Sequence, residues 1–340
     1  MEWRGVSVGV LYGKHRKMAR GAARDLLSDA DTLRTVRAAR AVLRQVGARF
    51  VDLGLADDPR STLALLVCRP PAVVLNVCDA PLGDSALEPA LPAFLERLGI
   101  PYTGSPPGAL AFCRDKPAVK ACLRRAHVPT PAWVVVPPRR RPPRWTALPA
   151  IVKPATEDAS CGIDRRSVVA SPAELRDRIA HVHRRYRQPA LVERFVDGRE
   201  LNISLVGGRT PRVLPFGEID FSAMPPDRPA IVTFEAKWMA GRVEDRGTRP
   251  IPARALPRET RAALRAHALA AWRLTGCRDY ARVDVRLDAR GRPFVLEVNA
   301  NPDLGPEAGL ARAWSRAGGD WPGLLLHVLS LARRRAPRAT

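Results

Sequence analysis

The densest chemistry in the 340-residue chain lies in residues 281–303, ARVDVRLDARGRPFVLEVNANPD. Two alternating runs flank Asp288-Ala289-Arg290-Gly291, a turn sequence, so the stretch is expected to fold as an antiparallel hairpin. If Asp288 pairs with Gly291, Arg282 faces Glu297 and Asp284 faces Val295. Side chains alternate along a strand, which sets Arg282, Asp284, Glu297 and Asn299 on one face. Val283, Val285, Leu287, Phe294, Leu296 and Val298 then form the other, apolar face. Two carboxylates, an amide and a guanidinium on a half-buried sheet are costly unless something charged completes them. Oxygen donors of this kind suit Mg²⁺, which takes few protein ligands and fills its octahedron with water and phosphate oxygens. Taken alone, the hairpin also fits a solvated face in which Arg282 and Glu297 form an ordinary cross-strand ion pair.

The elements that must position this hairpin read as an α/β chain. Residues 5–12 (GVSVGVLY), 50–53 and 73–77 (VVLNV) are short apolar strands. Between the first two, residues 31–46 place Leu33, Val36, Leu43 and Val46 on one helical stripe. Residues 87–98 read as a helix closed by Gly99. Strands alternating with helices predict a parallel sheet with crossover connections. No G-x-G-x-x-G follows the first strand, so a dinucleotide site there is unsupported. Residues 137–143 (PPRRRPP) can continue neither a helix nor an inner strand and are expected as a loop. Beyond them come strands at 151–153, 191–193 and 200–206, a turn at Asp197-Gly198, and helices over 172–181 and 258–274. His181 and His183 are expected at the surface.

Several ordered motifs resemble the ATP-grasp superfamily, in its D-alanine–D-alanine ligase-like branch. The R-x-D of Arg282 and Asp284, followed by the E-x-N of Glu297 and Asn299, is similar to that superfamily's metal-binding end. Residues 100–105 (IPYTGS) and Arg114-Asp115-Lys116 resemble the junction between the first and central domains. Residues 151–154 (IVKP) resemble the strand bearing the nucleotide lysine, 191–201 (LVERFVDGREL) the hinge under the adenine, and Glu235-Ala236-Lys237 the third phosphate-side lysine. The resemblance implies an N-terminal Rossmann-like domain (1–112), a central lid subdomain (113–198) and a C-terminal catalytic subdomain (199–335). It implies ATP and two Mg²⁺ ions, with Mn²⁺ as a substitute. Lys116 and Lys153 would contact the α- and β-phosphates with Lys237 nearby. Glu193, Arg194, Phe195 and Val196 would line the adenine site, and Glu200 would take the ribose hydroxyls. Asp284, Glu297 and Asn299 would ligate metal, and Arg282 would stabilise an oxyanion. The implied reaction joins a carboxylate to an amine through an acyl phosphate, with small molecules such as amino acids as substrates and a homodimer as assembly.

Lysine usage points the same way without the resemblance. The chain has 56 basic residues, of which six are lysines, and three of these are Lys116, Lys153 and Lys237. A lysine kept in a chain that otherwise uses arginine suggests a need for a compact point charge. The acceptor half departs from the family pattern. An early glutamate has no counterpart after Val10, and a loop serine is Ala159, beside Ser160. Trp238 stands for a tyrosine or histidine, Asp303 for an oxyanion-hole glycine and Ala308 for a serine that holds the acceptor carboxylate. The loop at residues 155–162 (ATEDASCG), which corresponds to a phosphate-covering loop, holds one glycine.

Composition limits the rivals. The formal net charge of +22 invites a nucleic-acid reading. The arginines, however, lack an interleaved aromatic platform for stacking bases and read as a generally basic surface. Six scattered cysteines without a C-x-x-C read as reduced thiols rather than a disulfide frame or zinc site. No segment has the unbroken apolar length of a membrane span, and the N-terminus lacks the layout of a secretion signal, so a cytoplasmic location is expected. The competing reading is a catalytically inactive ATP-binding relative acting as sensor or scaffold.

Overall fold

The computed structural model describes residues 2–14, 27–140, 144–157 and 160–336, with the backbone alone described for 27–31. Ala159 and the end of the 137–143 segment lie outside the described residues.

The chain begins with β1 (Ser7–Lys14), α1 (Leu27–Gln45), β2 (Arg49–Ala56), α2 (Arg60–Cys68), β3 (Val73–Asn76) and α3 (Ala90–Arg97). The three strands form a parallel sheet in the order β2-β1-β3, as the alternation of strands and helices predicts. β1 is buried on both faces. Val8, Val10 and Tyr12 face one core, with Val36, Ala39 and Leu43 of α1, while Leu11 joins Leu66 of α2 and Leu91 and Leu95 of α3 on the other.

Two helices, α4 (Pro107–Arg114) and α5 (Lys116–Arg125), lead to a second sheet. Asp115 caps α5 by accepting a hydrogen bond from the backbone N–H of Ala118 at 3.0 Å. β4 (Trp133–Val136), β5 (Ala150–Pro154), β6 (Val168–Val169), α6 (Pro172–Tyr186) and β7 (Ala190–Arg194) follow. Their sheet runs in the order β4-β7-β5-β6 and is antiparallel throughout. Val152 and Val192 pack its apolar face onto Leu175, Ile179 and Val182 of α6, which leaves Ile151, Lys153, Leu191 and Glu193 on the opposite face.

The third sheet holds β8 (Arg199–Gly207), β9 (Arg212–Val213), β10 (Gly217–Asp220) and, after the short helices α7 (Phe234–Trp238) and α8 (Val243–Arg246), β11 (Arg249–Pro252). The long helix α9 (Arg258–Thr275), capped by Gly276 in the left-handed region, precedes the hairpin of β12 (Asp279–Leu287) and β13 (Pro293–Asn299). α10 (Gly309–Arg316) and α11 (Trp321–Arg333) close the fold. Strand order is β11-β10-β8-β12-β13, with β9 pairing β8, and α9 covers the apolar face.

The first and third sheets are joined by a shared core. Leu324, Leu325, Val328, Leu329 and Ala332 of α11 pack with Val8 and Val10 of β1 and Val73 and Leu75 of β3. At its end, Arg335 grips the fully buried Asp279 through both carboxylate oxygens at 2.5 and 2.7 Å, and donates to the carbonyl of Tyr102 at 2.7 Å. Asp279 also accepts from the N–H of Gly104. Among the described residues no helix is long and apolar enough to cross a membrane.

Candidate active site

The polar face of the β12–β13 hairpin forms as expected, by a different register. Arg282 lies opposite Asn299 and Asp284 opposite Glu297, not Glu297 and Val295. Two physical causes add. The turn is one residue longer than expected, because Asp288 closes onto Arg292: its N–H donates to the Arg292 carbonyl, and its carboxylate accepts from the N–H groups of Arg290 and Arg292. A bulge between Asp284 and Val285 then leaves Leu296 as an extra residue on β13. One slip would have turned the acidic set over; two restore it. Arg282, Asp284, Glu297 and Asn299 therefore still share a face, but the apolar face changes. Val295 is fully buried in the core. Leu296 lines the cleft instead, and Phe294 lies under the Arg194 guanidinium at 5.0 Å.

This face is the floor of a cleft of about 430 Å³ between the second and third sheets. Lys153, Glu193, Arg194, Phe195, Val196, Glu200, Lys237, Arg282, Asp284, Glu297 and Asn299 all line it. Lys116, at the start of α5, does not line the cleft but is buried behind it, its ammonium 3.8 Å from Glu297 and donating to the Glu157 carbonyl at 2.5 Å.

The floor is tightly wired. Arg282 holds Asp284 with two bonds of 2.7 Å, and Asn202 on β8 donates to the same carboxylate at 2.7 Å. On the next rung Arg286 donates to Glu200 at 2.9 and 3.1 Å and to the carbonyls of Val196 and Ala230, while its guanidinium stacks on Phe195 at 5.0 Å. Burial raises the pKa of Glu200, an effect the Arg286 charge opposes. Burial would raise Glu297 as well, but Lys116, Lys153, Arg282 and Lys237 together hold it down at about 2, so it is a carboxylate at any working pH. Asn299 accepts from the N–H of Asn301.

The roof carries a buried charge triad. Glu193, 1% exposed, places one carboxylate oxygen 2.8 Å from Lys120 and the other 3.1 Å from Lys153. Lys120 also donates to Thr130 at 2.7 Å. Burial drives the Lys120 pKa down to about 8 against the pull of Glu193. For Glu193 burial acts upward, yet the two lysines leave its pKa below the usual carboxylate value. The Glu193 carboxylate is thus committed to the lysines, which fixes Lys153 over the cleft. Lys237 stands on α7, whose N-cap Thr233 accepts from the N–H of Ala236. Its ammonium sits 4.8 Å from the Trp238 ring, and desolvation, with Arg282 nearby, lowers its pKa.

Sequence reasoning missed Arg286, Asn202 and Lys120. The first two had a signal, since Arg286 continues the Arg282–Asp284 alternation and β8 sets Glu200 opposite Arg286 and Asn202 opposite Asp284. Lys120 lies one helical turn beyond Lys116, on the same face of α5. Of the departures, Trp238, Asp303 and Ala308 line the cleft, as does Ser160, which donates to the Val232 carbonyl at 3.1 Å.

With this geometry in view, the profile described as "D-ala D-ala ligase C-terminus" matches residues 139–330, more than half of the chain. The chain belongs to the D-alanine–D-alanine ligase family. This is the ligase-like branch of the ATP-grasp superfamily, whose members are ATP-dependent carboxylate–amine ligases. The D-alanine–D-alanine ligase of Desulforudis audaxviator is 32% identical over 89% of this chain and 94% of its own. An uncharacterized protein, y4sG, of Sinorhizobium fredii is 35% identical over 79% of this chain and 77% of its own. Among solved structures, the Bacillus anthracis D-alanine–D-alanine ligase complexed with ATP superposes with a TM-score of 0.74 at 21% identity, covering 97% of this chain and 98% of that one. That likeness bears on the fold.

A divalent cation fits this family member's floor. Among the described residues no group of three or more His, Cys, Asp or Glu side chains gathers as a metal cage. Asp284, Glu297 and Asn299 instead offer a sparse, hard oxygen set that phosphate oxygens must complete, which is the preference of Mg²⁺ rather than of a thiolate or imidazole metal.

Proposed function

We propose that the chain condenses a carboxylate with an amine at the expense of ATP, forming ADP and phosphate through an acyl phosphate, with amino acids as substrates. The observation that carries this is the convergence of Lys153 and Lys237 with Arg282, Asp284, Glu297 and Asn299 on one cleft, with Lys116 against Glu297 behind it. The relatives named D-alanine–D-alanine ligase support the amino-acid class.

Lys153, Lys116 and Lys237 bind the phosphates, with Lys153 oriented by Glu193 and Lys120. Phe195, Val196 and Leu296 give an apolar slot for a base, with Arg194 at its edge, and Glu200, steadied by Arg286, takes the ribose. Asp284, Glu297 and Asn299 would hold Mg²⁺, which when bound would neutralise charge on the transferring phosphoryl group. The substrate carboxylate oxygen bonds to the γ-phosphorus as the bond to ADP breaks. The amine nitrogen then bonds to the acyl carbon and loses a proton, and the carbon–oxygen bond to phosphate breaks. Arg282 stabilises the oxyanion between these events. The three working units of this scheme are residues 1–112, 113–198 and 199–335.

The test is ADP release from ATP and Mg²⁺ across a panel of D- and L-amino acids, with the product identified by mass. A ligated product appearing with stoichiometric ADP supports the proposal. Tight ATP binding with no ADP released by any pair overturns it in favour of a silent nucleotide binder.

A further inference from the structure

Among the described residues none of 1–112 lines the cleft, yet that unit reaches one of the candidate metal ligands through Asn301. Asn301 lies two residues beyond Asn299, where the chain leaves β13, and its side chain bridges the first unit and the hairpin. Its amide nitrogen donates to Glu88, just ahead of α3, at 2.9 Å, and its amide oxygen accepts from the Tyr280 hydroxyl at 3.0 Å. A carboxylate offers only acceptors, so Glu88 fixes which way the amide faces. Glu88 is 8% exposed and Tyr280 is fully buried, so breaking either bond would strand a polar group away from water. The Tyr280 hydroxyl also lies 3.4 Å from the Asn76 carbonyl at the end of β3, where the first sheet meets β12. Alternation along β12 puts Tyr280 on the same face as Arg282 and Asp284, so this strut continues the cleft floor toward the first unit.

With its side chain held at both ends, Asn301 has its backbone N–H aimed at Oδ1 of Asn299, 2.9 Å away. That bond takes one lone pair of the oxygen, fixes the amide plane, and leaves the other lone pair for a cation. Mg²⁺ demands near-ideal octahedral geometry, so the placement of each oxygen bears directly on affinity. Arg282 and Asn202 orient Asp284 in this way, and Asn301 does the same for Asn299. We propose that Asn301 is a positioning residue: clasped by Glu88 and Tyr280, it holds Asn299 in the orientation that binds a divalent cation, so that the docking of residues 1–112 sets the affinity of a metal site lying outside them. This rests on the metal-binding part of the reading above. A bracket that merely joined the two units would stabilise the fold without acting on the cation.

The test is Mn²⁺ binding to the full chain in the presence of ADP, with free Mn²⁺ read by electron paramagnetic resonance and thermal melting as the folding control. Asn301→Ala should weaken Mn²⁺ about 10- to 100-fold, while ADP without metal, followed by calorimetry, binds as to the wild type. Glu88→Ala and Tyr280→Phe should weaken Mn²⁺ in the same direction. Glu88→Gln keeps an acceptor for the Asn301 amide and should retain most of the affinity that Glu88→Ala loses. A folded Asn301→Ala that binds Mn²⁺ like the wild type, or that loses metal-free ADP to the same degree, overturns the assignment. If Asn301→Ala does not fold, the Glu88 variants decide: a loss in Glu88→Ala that Glu88→Gln restores supports the assignment, and equal Mn²⁺ affinity in the two overturns it. A wild type that binds no Mn²⁺ beside ADP overturns it together with the metal ligands on which it rests. Steady-state ADP release separates this assignment from the ligase reading. If amino acids are ligated and Mn²⁺ affinity ignores Asn301, the ligase reading stands alone; if Mn²⁺ affinity depends on Asn301 and no amino-acid pair releases ADP, this assignment stands alone.

Discussion

Replacing Glu193 with glutamine removes the one negative charge between two buried lysines. Lys120 and Glu193 are each 1% exposed at the side chain and Lys153 is 8% exposed, so solvent screens little. At 2.8 and 3.1 Å, and with an effective dielectric of about 20, the gross attractions are roughly 6 and 5 kcal/mol. Desolvation offsets much of this in the intact triad, but taking away one partner of a buried pair strands the other and costs about 3–5 kcal/mol. Glu193→Gln is therefore expected to lose about 3–5 kcal/mol at pH 7, a large share of a typical domain's stability. The pH dependence identifies the cause. Lys120 has a folded pKa of about 8, depressed from 10.5, so its contribution is fully favourable above 10.5 and is lost as pH falls through about 8. In the variant the folded pKa falls further, because Glu193 no longer raises it. Between pH 7 and 9.5 the variant should gain more stability than the wild type, narrowing the deficit by about 1 kcal/mol. Urea unfolding of both proteins at the two pH values measures this. A deficit below about 1 kcal/mol at pH 7, or one that stays flat or widens with pH, refutes the triad as described.

Arg282→Ala should lower kcat by about 10²- to 10³-fold, and Arg282→Lys should not restore it, because lysine cannot reproduce the two-pronged grip on Asp284; steady-state ADP release reads both. Glu297→Gln should raise the Mg²⁺ concentration needed for half-maximal ADP release. It should also flatten acid unfolding: Glu297 has a depressed pKa of about 2, so its stabilisation is present above the ordinary 4.5 and lost as pH falls through about 2. Gly198→Ala should lower the melting temperature by several degrees, since Gly198 has φ +147° and a Cβ there would lie 2.1 Å from the Leu287 carbonyl oxygen.

The hairpin face was legible because alternation depends on parity, and parity survives an even number of slips. The register was not, because the Asp288 turn closes onto Arg292 and the bulge at Leu296 leaves no mark in the hydrophobic pattern. Lys153 and Glu193 were expected in the site from the resemblance of residues 151–154 and 191–201, and both line the cleft, yet Lys120 was not expected there. In sequence a fully buried lysine looks like any solvated one, and only the fold, which packs α5 on α9 and β13 and brings Lys120 to Glu193 on β7, reveals its partner. The edge strand β11 (RPIP) escaped because its prolines break alternation, and β10 (GEID) because its four residues, two of them charged, make no apolar run.

The partnership of the first strand with the last helix governs the order in which this polypeptide acquires its shape. Val8 and Val10 are covered in part by Val36, Ala39 and Leu43 of the neighbouring α1, but the rest of their cover, Leu324 to Ala332, is made only after both other sheets. The nascent amino-terminal sheet therefore waits with part of that side uncovered, while the central sheet, whose core is drawn from Val136 to Val192, has everything it needs within its own span.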